Sequence, residues 1–162
     1  MILQLFSVTR ALAHHHIDKS AIDMYANGTK GRAMRYRRHL RKRGAAVVIR
    51  HGKLLLVKDR GRHRYSLPGG GVKKHERSYQ AAARELYEET GLRAKKIKWI
   101  GSFEGAVSEH KAYLIEADGH VHLKRHGELK AYLWWDMKKP VPIYGHVMGI
   151  LKMLNKETDH AR

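Results

Sequence analysis

Beyond residue 44 the chain runs as short apolar stretches separated by polar breaks, a spacing that predicts more strands than helices. Residues 45–49 and 54–58 are β-rich runs on either side of His51-Gly52, which reads as a hairpin turn. Further strands are expected at 65–67, 97–103, 112–117, 121–123 and 129–135. Two segments read as helices. The first carries Ala81, Ala82, Ala83 and Leu86, with no proline or glycine until Gly91, which suits a C-cap. The second, residues 144–155, is amphipathic and follows the breaks at Pro140 and Pro142. Helices interspersed among strands give an α/β (α+β) fold, a mixed-sheet α/β/α sandwich. Residues 1–44 are patterned differently. Ile2, Leu3, Phe6, Ala11 and Ala13 leave room for a short amphipathic helix, and Asn27-Gly28 marks a break. The chain therefore divides into an extension, 1–44, and a domain, 45–162.

The end of the first helix holds the most informative chemistry. Glu85, Glu88 and Glu89 stand at i, i+3 and i+4, neighbours on one face about 5–6 Å apart at Cβ. Carboxylates so close repel one another, and no lysine is interleaved among them. A hard divalent cation relieves that repulsion, because oxygen ligands are what it takes. Mg2+ or Mn2+ is the expected cofactor. Upstream, Gly69, Gly70 and Gly71 let the backbone pass close to a ligand and turn a carbonyl toward it.

Gly70, Glu76, Arg84, Glu85, Leu86, Glu88, Glu89, Gly91 and Leu92 together spell G-x5-E-x7-R-E-U-x-E-E-x-G-U, where U is a bulky aliphatic. This run resembles the Nudix box of the Nudix hydrolase superfamily, with every fixed position present. The resemblance implies the sandwich architecture and a MutT-like pyrophosphatase in which water attacks a phosphorus of a pyrophosphate linkage. It implies Glu85, Glu88 and Glu89 as metal ligands, a backbone carbonyl at Gly69 or Gly70 beside them, and Glu76 in support. Arg84 is expected to point away from the ligand face and pair with a box carboxylate. Among Nudix enzymes the general base is also found on a loop beyond the box; Glu104, Glu109 and Glu128 qualify here, and Glu128 is preferred. Subfamily marks for ADP-ribose and diadenosine polyphosphates are missing, since Val107, Ser108, Glu109 and His110 stand in those stretches. Residues 62–71 and 101–104, with His110, Lys111 and Tyr113, look like the diphosphoinositol polyphosphate phosphohydrolase branch. Arg62, Arg64, His110 and Lys111 are then expected to line a pocket for a phosphate-crowded substrate.

Composition adds the partner class. Lys plus Arg number 33 against 15 acids, a net +18 that favours polyanions through steering and phosphate contacts. The block Lys30, Arg32, Arg35, Arg37, Arg38, Arg41, Lys42, Arg43 contains no acid and offers a place to hold RNA. With 43% hydrophobic residues the chain is globular. The absence of cysteine excludes disulfides, thiolate metal sites and a cysteine nucleophile, and fits the cytoplasm. No apolar run has the length of a membrane span. Three readings follow: a hydrolase of inositol pyrophosphates or dinucleoside polyphosphates, an RNA 5′-end pyrophosphohydrolase, and a non-catalytic nucleotide- or RNA-binding module. The apolar N-terminus and the Trp134-Trp135 pair leave room for a homodimer interface.

Overall fold

The computed structural model describes residues 40–159. The proposed N-terminal helix, most of the basic block and residues 1–39 as a whole lie outside the described residues. Seven strands and two helices follow in the order β1 (Arg41–Val47), β2 (Ile49–Arg50), β3 (Lys53–Asp59), β4 (Gly69–Gly71), α1 (Ser78–Thr90), β5 (Arg93–Glu104), β6 (Ser108–Asp118), β7 (Leu129–Trp135) and α2 (Gly145–Asp159). One sheet has the order β4-β1-β6-β5 and a second the order β2-β3-β7. The β1–β6 pair is parallel and every other pair is antiparallel, so the larger sheet is mixed.

Two apolar clusters explain the layering. Ala46, Val48 and Leu55 face Ala82 and Leu86 of α1, with Tyr113 and Ile115 of β6 completing that side. Their alternate neighbours Ala45, Val47, Leu54, Leu56 and Ala112 pack against Val147, Ile150, Leu151 and Leu154 of α2. Both faces of these strands are buried, which is why 45–48 and 54–57 read as unbroken apolar runs rather than alternating ones. The sandwich with a helix on each side is as the sequence predicts. The hairpin is too: His51 and Gly52 both have positive φ, 49° and 71°, as a two-residue turn requires.

Several elements differ from the sequence pattern, β5 and β6 among them, since each begins four residues before its apolar run, at Arg93 and Ser108. β1 starts at Arg41, upstream of its apolar run, because its register continues along β6 to the pair Arg41↔Ser108. Residues 65–67 form only isolated bridges, Val57↔Ser66 and Tyr65↔Ile143. Residues 121–123 form no strand; His122 N–H instead donates to the Thr90 carbonyl at 2.8 Å. The unforeseen strand is β4, whose three glycines pair antiparallel with residues 43–45 of β1. Glycine normally weakens a strand, but a close backbone approach requires it. A Cβ at Gly69 would meet the Gly44 carbonyl, and its φ of 150° also favours glycine. Trp135 is taken into the core, donating from its indole N–H to the Lys139 carbonyl, and Trp134 lies partly buried under Arg50.

Candidate active site

The site is organised by α1. At its start the Gln80 side chain accepts from Arg77 N–H at 2.9 Å, and at its end Gly91 caps it in the left-handed conformation. Ala81, Ala82 and Leu86 bury one face. That leaves Glu85, Glu88 and Glu89 on the side turned toward β4 and the loop between β6 and β7. Glu85 lies over Gly70, where a Cβ would strike its carboxylate. Glu89 accepts a hydrogen bond from Gly69 N–H at 3.1 Å. The missing side chains of β4 are thus what lets two carboxylates of α1 rest against its backbone.

Arg84 pairs with box carboxylates as expected, but it lies among these groups rather than pointing away from them. Its guanidinium grips Glu76 with two bonds, Nε to Oε1 at 2.8 Å and Nη2 to Oε2 at 3.0 Å. Nη1 reaches Glu85 at 2.7 Å and Glu88 at 3.1 Å, and Nη2 also donates to the Gly71 carbonyl. The side chain is long enough to bend back along its own helix, which Cβ spacing alone does not reveal. Glu76, expected beside the metal ligands, is engaged instead by Arg84 and by Lys73 N–H at 2.9 Å. The Arg84 hydrogen bonds, with Lys73 N–H second, hold its carboxyl down at about 2. Arg84 is correspondingly held above the usual arginine range by Glu76 and then Glu85.

Glu89 is the group most perturbed in the other direction. Burial pushes its carboxyl up to about 8; the charges of Glu85 and Asp59 add to this, and the Gly69 N–H opposes it. A carboxyl held near neutrality beside other acids is characteristic of sites where charge is to be supplied by a ligand.

A cavity of about 480 Å3 opens over this face, lined by Lys73, Arg84, Glu85, Glu88, Glu89, Lys124, Gly127, Glu128 and Leu129. Glu128 is therefore brought opposite the α1 carboxylates, whereas Glu109 is bonded to Ser102 Oγ at 2.6 Å, and neither it nor Glu104 lines the cavity. The donor set is all oxygen and suits a hard divalent cation. Among the described residues no three acid or histidine side chains converge tightly enough to form a ready metal cluster. Arg84 holds Glu85 and Glu88 at the same guanidinium nitrogen.

The Gly69 backbone, bonded to Glu89, forms part of the wall of a second cavity. That cavity, about 410 Å3, is lined by Gly69, Arg43, Asp59, Arg62, Ser66, Ser108, His110, Tyr144 and His146 among others. Arg43 donates to the Gly69 carbonyl at 3.0 Å. The rings of His110 and His146 stack at 4.3 Å, and Tyr144 stacks on His146 at 5.8 Å. Ser108 Oγ and Ser66 Oγ bond the two imidazoles at 2.9 and 3.0 Å. Burial lowers both imidazoles to about 4, helped by the Arg43 charge, so both are neutral near pH 7. Of the four residues expected to bind phosphates, Arg62 and His110 line this cavity, and His110 brings no charge. Arg64 and Lys111 line neither cavity; Lys111 is held within β6 between Gly44 and Ser102. Lys73, Lys124, Asp59, Tyr144 and His146 carry no local signal in the sequence, because each enters through strand, loop or helix packing, and Arg43 stands out there only as part of the basic block.

Comparison with known proteins bears on the family and the fold. The chain is 35% identical over 82 residues to diphosphoinositol polyphosphate phosphohydrolase 2 of Rattus norvegicus, covering 48% of this chain and 46% of that protein. It is 41% identical over 59 residues to RNA pyrophosphohydrolase of Vibrio vulnificus, covering 36% of this chain and 34% of that protein. The matched region is thus less than half the length of either relative. Among solved structures, a MutT NUDIX hydrolase from Burkholderia pseudomallei superposes with a TM-score of 0.64 at 22% identity, covering 71% of this chain and 98% of the other. A nudix hydrolase family member from Chromobacterium violaceum gives 0.63 at 24% identity, covering 75% and 87%. The NUDIX domain description matches residues 40–150, which take in both cavities and the whole of α1, and the chain belongs to that family.

Proposed function

We propose that this chain is a divalent-cation-dependent pyrophosphohydrolase that cleaves a phosphoanhydride bond in a polyphosphorylated substrate. One observation carries the reading: Glu85, Glu88 and Glu89 of α1 share a cavity with Glu128 from another loop and with two lysines. Glu85, Glu88, Glu89 and the Gly70 backbone would hold Mg2+ or Mn2+. When bound, the cation supplies neutralisation of the diphosphate and a lowered pKa for the attacking water. Glu128 takes the proton from that water as its oxygen bonds to phosphorus and the anhydride P–O bond breaks. Lys73 and Lys124 hold phosphate oxygens of substrate and leaving group. Arg84, fixed by Glu76, keeps Glu85 and Glu88 in place.

The second cavity supports a choice of substrate. The relatives' names include a diphosphoinositol polyphosphate phosphohydrolase and an RNA pyrophosphohydrolase. An inositol pyrophosphate presents phosphate on every side and calls for a strongly cationic pocket. Here Arg43 and Arg62 are opposed by Asp59, and the remaining polar lining is hydroxyls and neutral imidazoles. Stacked rings with hydrogen-bonding edges favour a nucleobase, which has a flat face and edge donors and acceptors. The reading is therefore of a nucleotide substrate, with the 5′ end of RNA included and the basic stretch up to Arg43 available for its phosphates. Among the described residues no helix is long and apolar enough to cross a membrane.

Phosphate release from nucleoside triphosphates, dinucleoside polyphosphates, 5′-triphosphate RNA and a diphosphoinositol polyphosphate, with and without Mg2+, tests this. The proposal requires Mg2+-dependent release that is greatest on a nucleotide. A preference for the inositol substrate would overturn the nucleobase assignment; silence from folded protein on every substrate would overturn the hydrolase.

A further inference from the structure

The loop from β6 to β7 brings Lys124 and Glu128 to the carboxylate cavity, yet it has no strand or helix of its own. Its first part is tied to α1 through His122 N–H and the Thr90 carbonyl. Its second part closes in a turn, with Gly127 N–H donating to the Lys124 carbonyl at 3.0 Å. What fixes that turn to the body of the protein is Arg60, the residue after β3. Arg60 N–H donates to the Glu128 carbonyl at 2.8 Å, Nε to the Gly127 carbonyl at 2.8 Å, and Nη2 to the Arg125 carbonyl at 2.7 Å. The planar fork of a guanidinium meets two carbonyls at once, which a lysine ammonium does not reproduce. β3 itself is anchored between β2 and β7, and its bulge at Lys58/Asp59 sets the direction in which Arg60 leaves the sheet.

We propose that Arg60 is a positioning residue that holds the 124–128 turn over the carboxylate cavity, so that Glu128 and Lys124 face α1. Arg60 lines neither cavity and acts only through this turn. Its side-chain bonds are solvent-exposed, so they add little to global stability while restricting a turn that carries two working side chains. A displacement of about 1 Å in a reacting group costs on the order of a hundredfold in rate, which sets the size of the effect. The role in turnover rests on the reading of Glu128 as general base; the restraint on the turn does not.

Two readouts on the full chain separate those statements. Amide hydrogen exchange across 124–128 is predicted to accelerate by about tenfold or more in Arg60→Ala, with exchange in α1 and β1 unchanged. Arg60→Lys should recover only part of the protection. In turnover of a nucleoside triphosphate, Arg60→Ala is predicted to lower kcat by about tenfold to a hundredfold with a smaller change in KM. In a Glu128→Gln background the same change should lower kcat by clearly less than it does in the wild type, because one of the two groups being positioned is already gone. Unchanged exchange across 124–128 would overturn the proposal, as would losses of kcat that simply multiply in the double variant. A wild-type protein without turnover would sink the hydrolase reading, and the exchange result alone would then decide whether Arg60 restrains the turn.

Discussion

The two cavities share no lining residue and are built in opposite ways. The carboxylate cavity draws most of its charged lining from one short stretch, Lys73 to Glu89, with Glu128 and Lys124 added by a loop. The ring-lined cavity gathers Arg43, Asp59, Ser66, His110 and His146 from five separate parts of the chain. Helical spacing writes the first into the sequence as a motif. The second exists only once β1, β6 and α2 have packed. In the proposed function the first supplies the bond chemistry and the second selects what the phosphates are attached to.

The largest expected effect is in the carboxylate cavity. Glu89→Gln should lower turnover by about 10³-fold without loss of fold. It should also change the pH dependence of stability measured without divalent cations. Glu89 sits at about 8 in the folded protein against an ordinary value of 4.5. Between those values the folded state holds more protons than the unfolded one, so the wild type loses stability as pH rises through that window. The Gln variant should lack that fall, visible as a flatter melting temperature from about pH 5 to about pH 8. Identical profiles would contradict the burial of Glu89.

Glu128→Gln comes next, at about 10²-fold in kcat with little change in KM. A drop confined to KM would make Glu128 a binding group and leave the general base to the α1 face. Arg84→Ala should cost about tenfold in apparent Mg2+ affinity, since it removes the group that orients Glu85 and Glu88 without removing a ligand. If instead Mg2+ binds more tightly, Arg84 competes with the cation rather than preparing its place.

The smallest effects concern two glycines of β1 and β4. At Gly44 a Cβ would run into the backbone of Ser78 and Ala82, so Gly44→Ala should destabilise by about 1–3 kcal/mol. At Gly71 nothing stands within 4 Å, and Gly71→Ala should stay within about 0.5 kcal/mol. Chemical denaturation of the two variants separates close approach of α1 from a general glycine preference.

This contrast also explains how far the sequence could be read. Glu85, Glu88, Glu89, the Gly91 cap and the His51-Gly52 hairpin are local patterns, and all appear where spacing places them. β4 was hidden because its partner supplies the pairing and its own residues argue against a strand. Arg84 pairs with box carboxylates as its place in the motif implies, but it lies over the ligand face because side-chain length, not Cβ position, decides what a guanidinium reaches. Arg64 and Lys111 are grouped with Arg62 and His110 by charge and by the branch resemblance of the stretches that hold them, neither of which says which residue faces a cavity. His146 and Tyr144 lie far along the chain from the motif, and only the packing of α2 brings them to β6.

The most direct test is phosphate release from a nucleoside triphosphate as a function of Mg2+, at about pH 6.5 and about pH 8.5, for wild type and Glu89→Gln. The account predicts saturation with Mg2+ and a lower half-saturating concentration at the higher pH, because Glu89 must give up its proton to serve the cation. It predicts a near-silent Gln variant at both. Turnover independent of Mg2+, or a folded Glu89→Gln protein working at the wild-type rate, would contradict it.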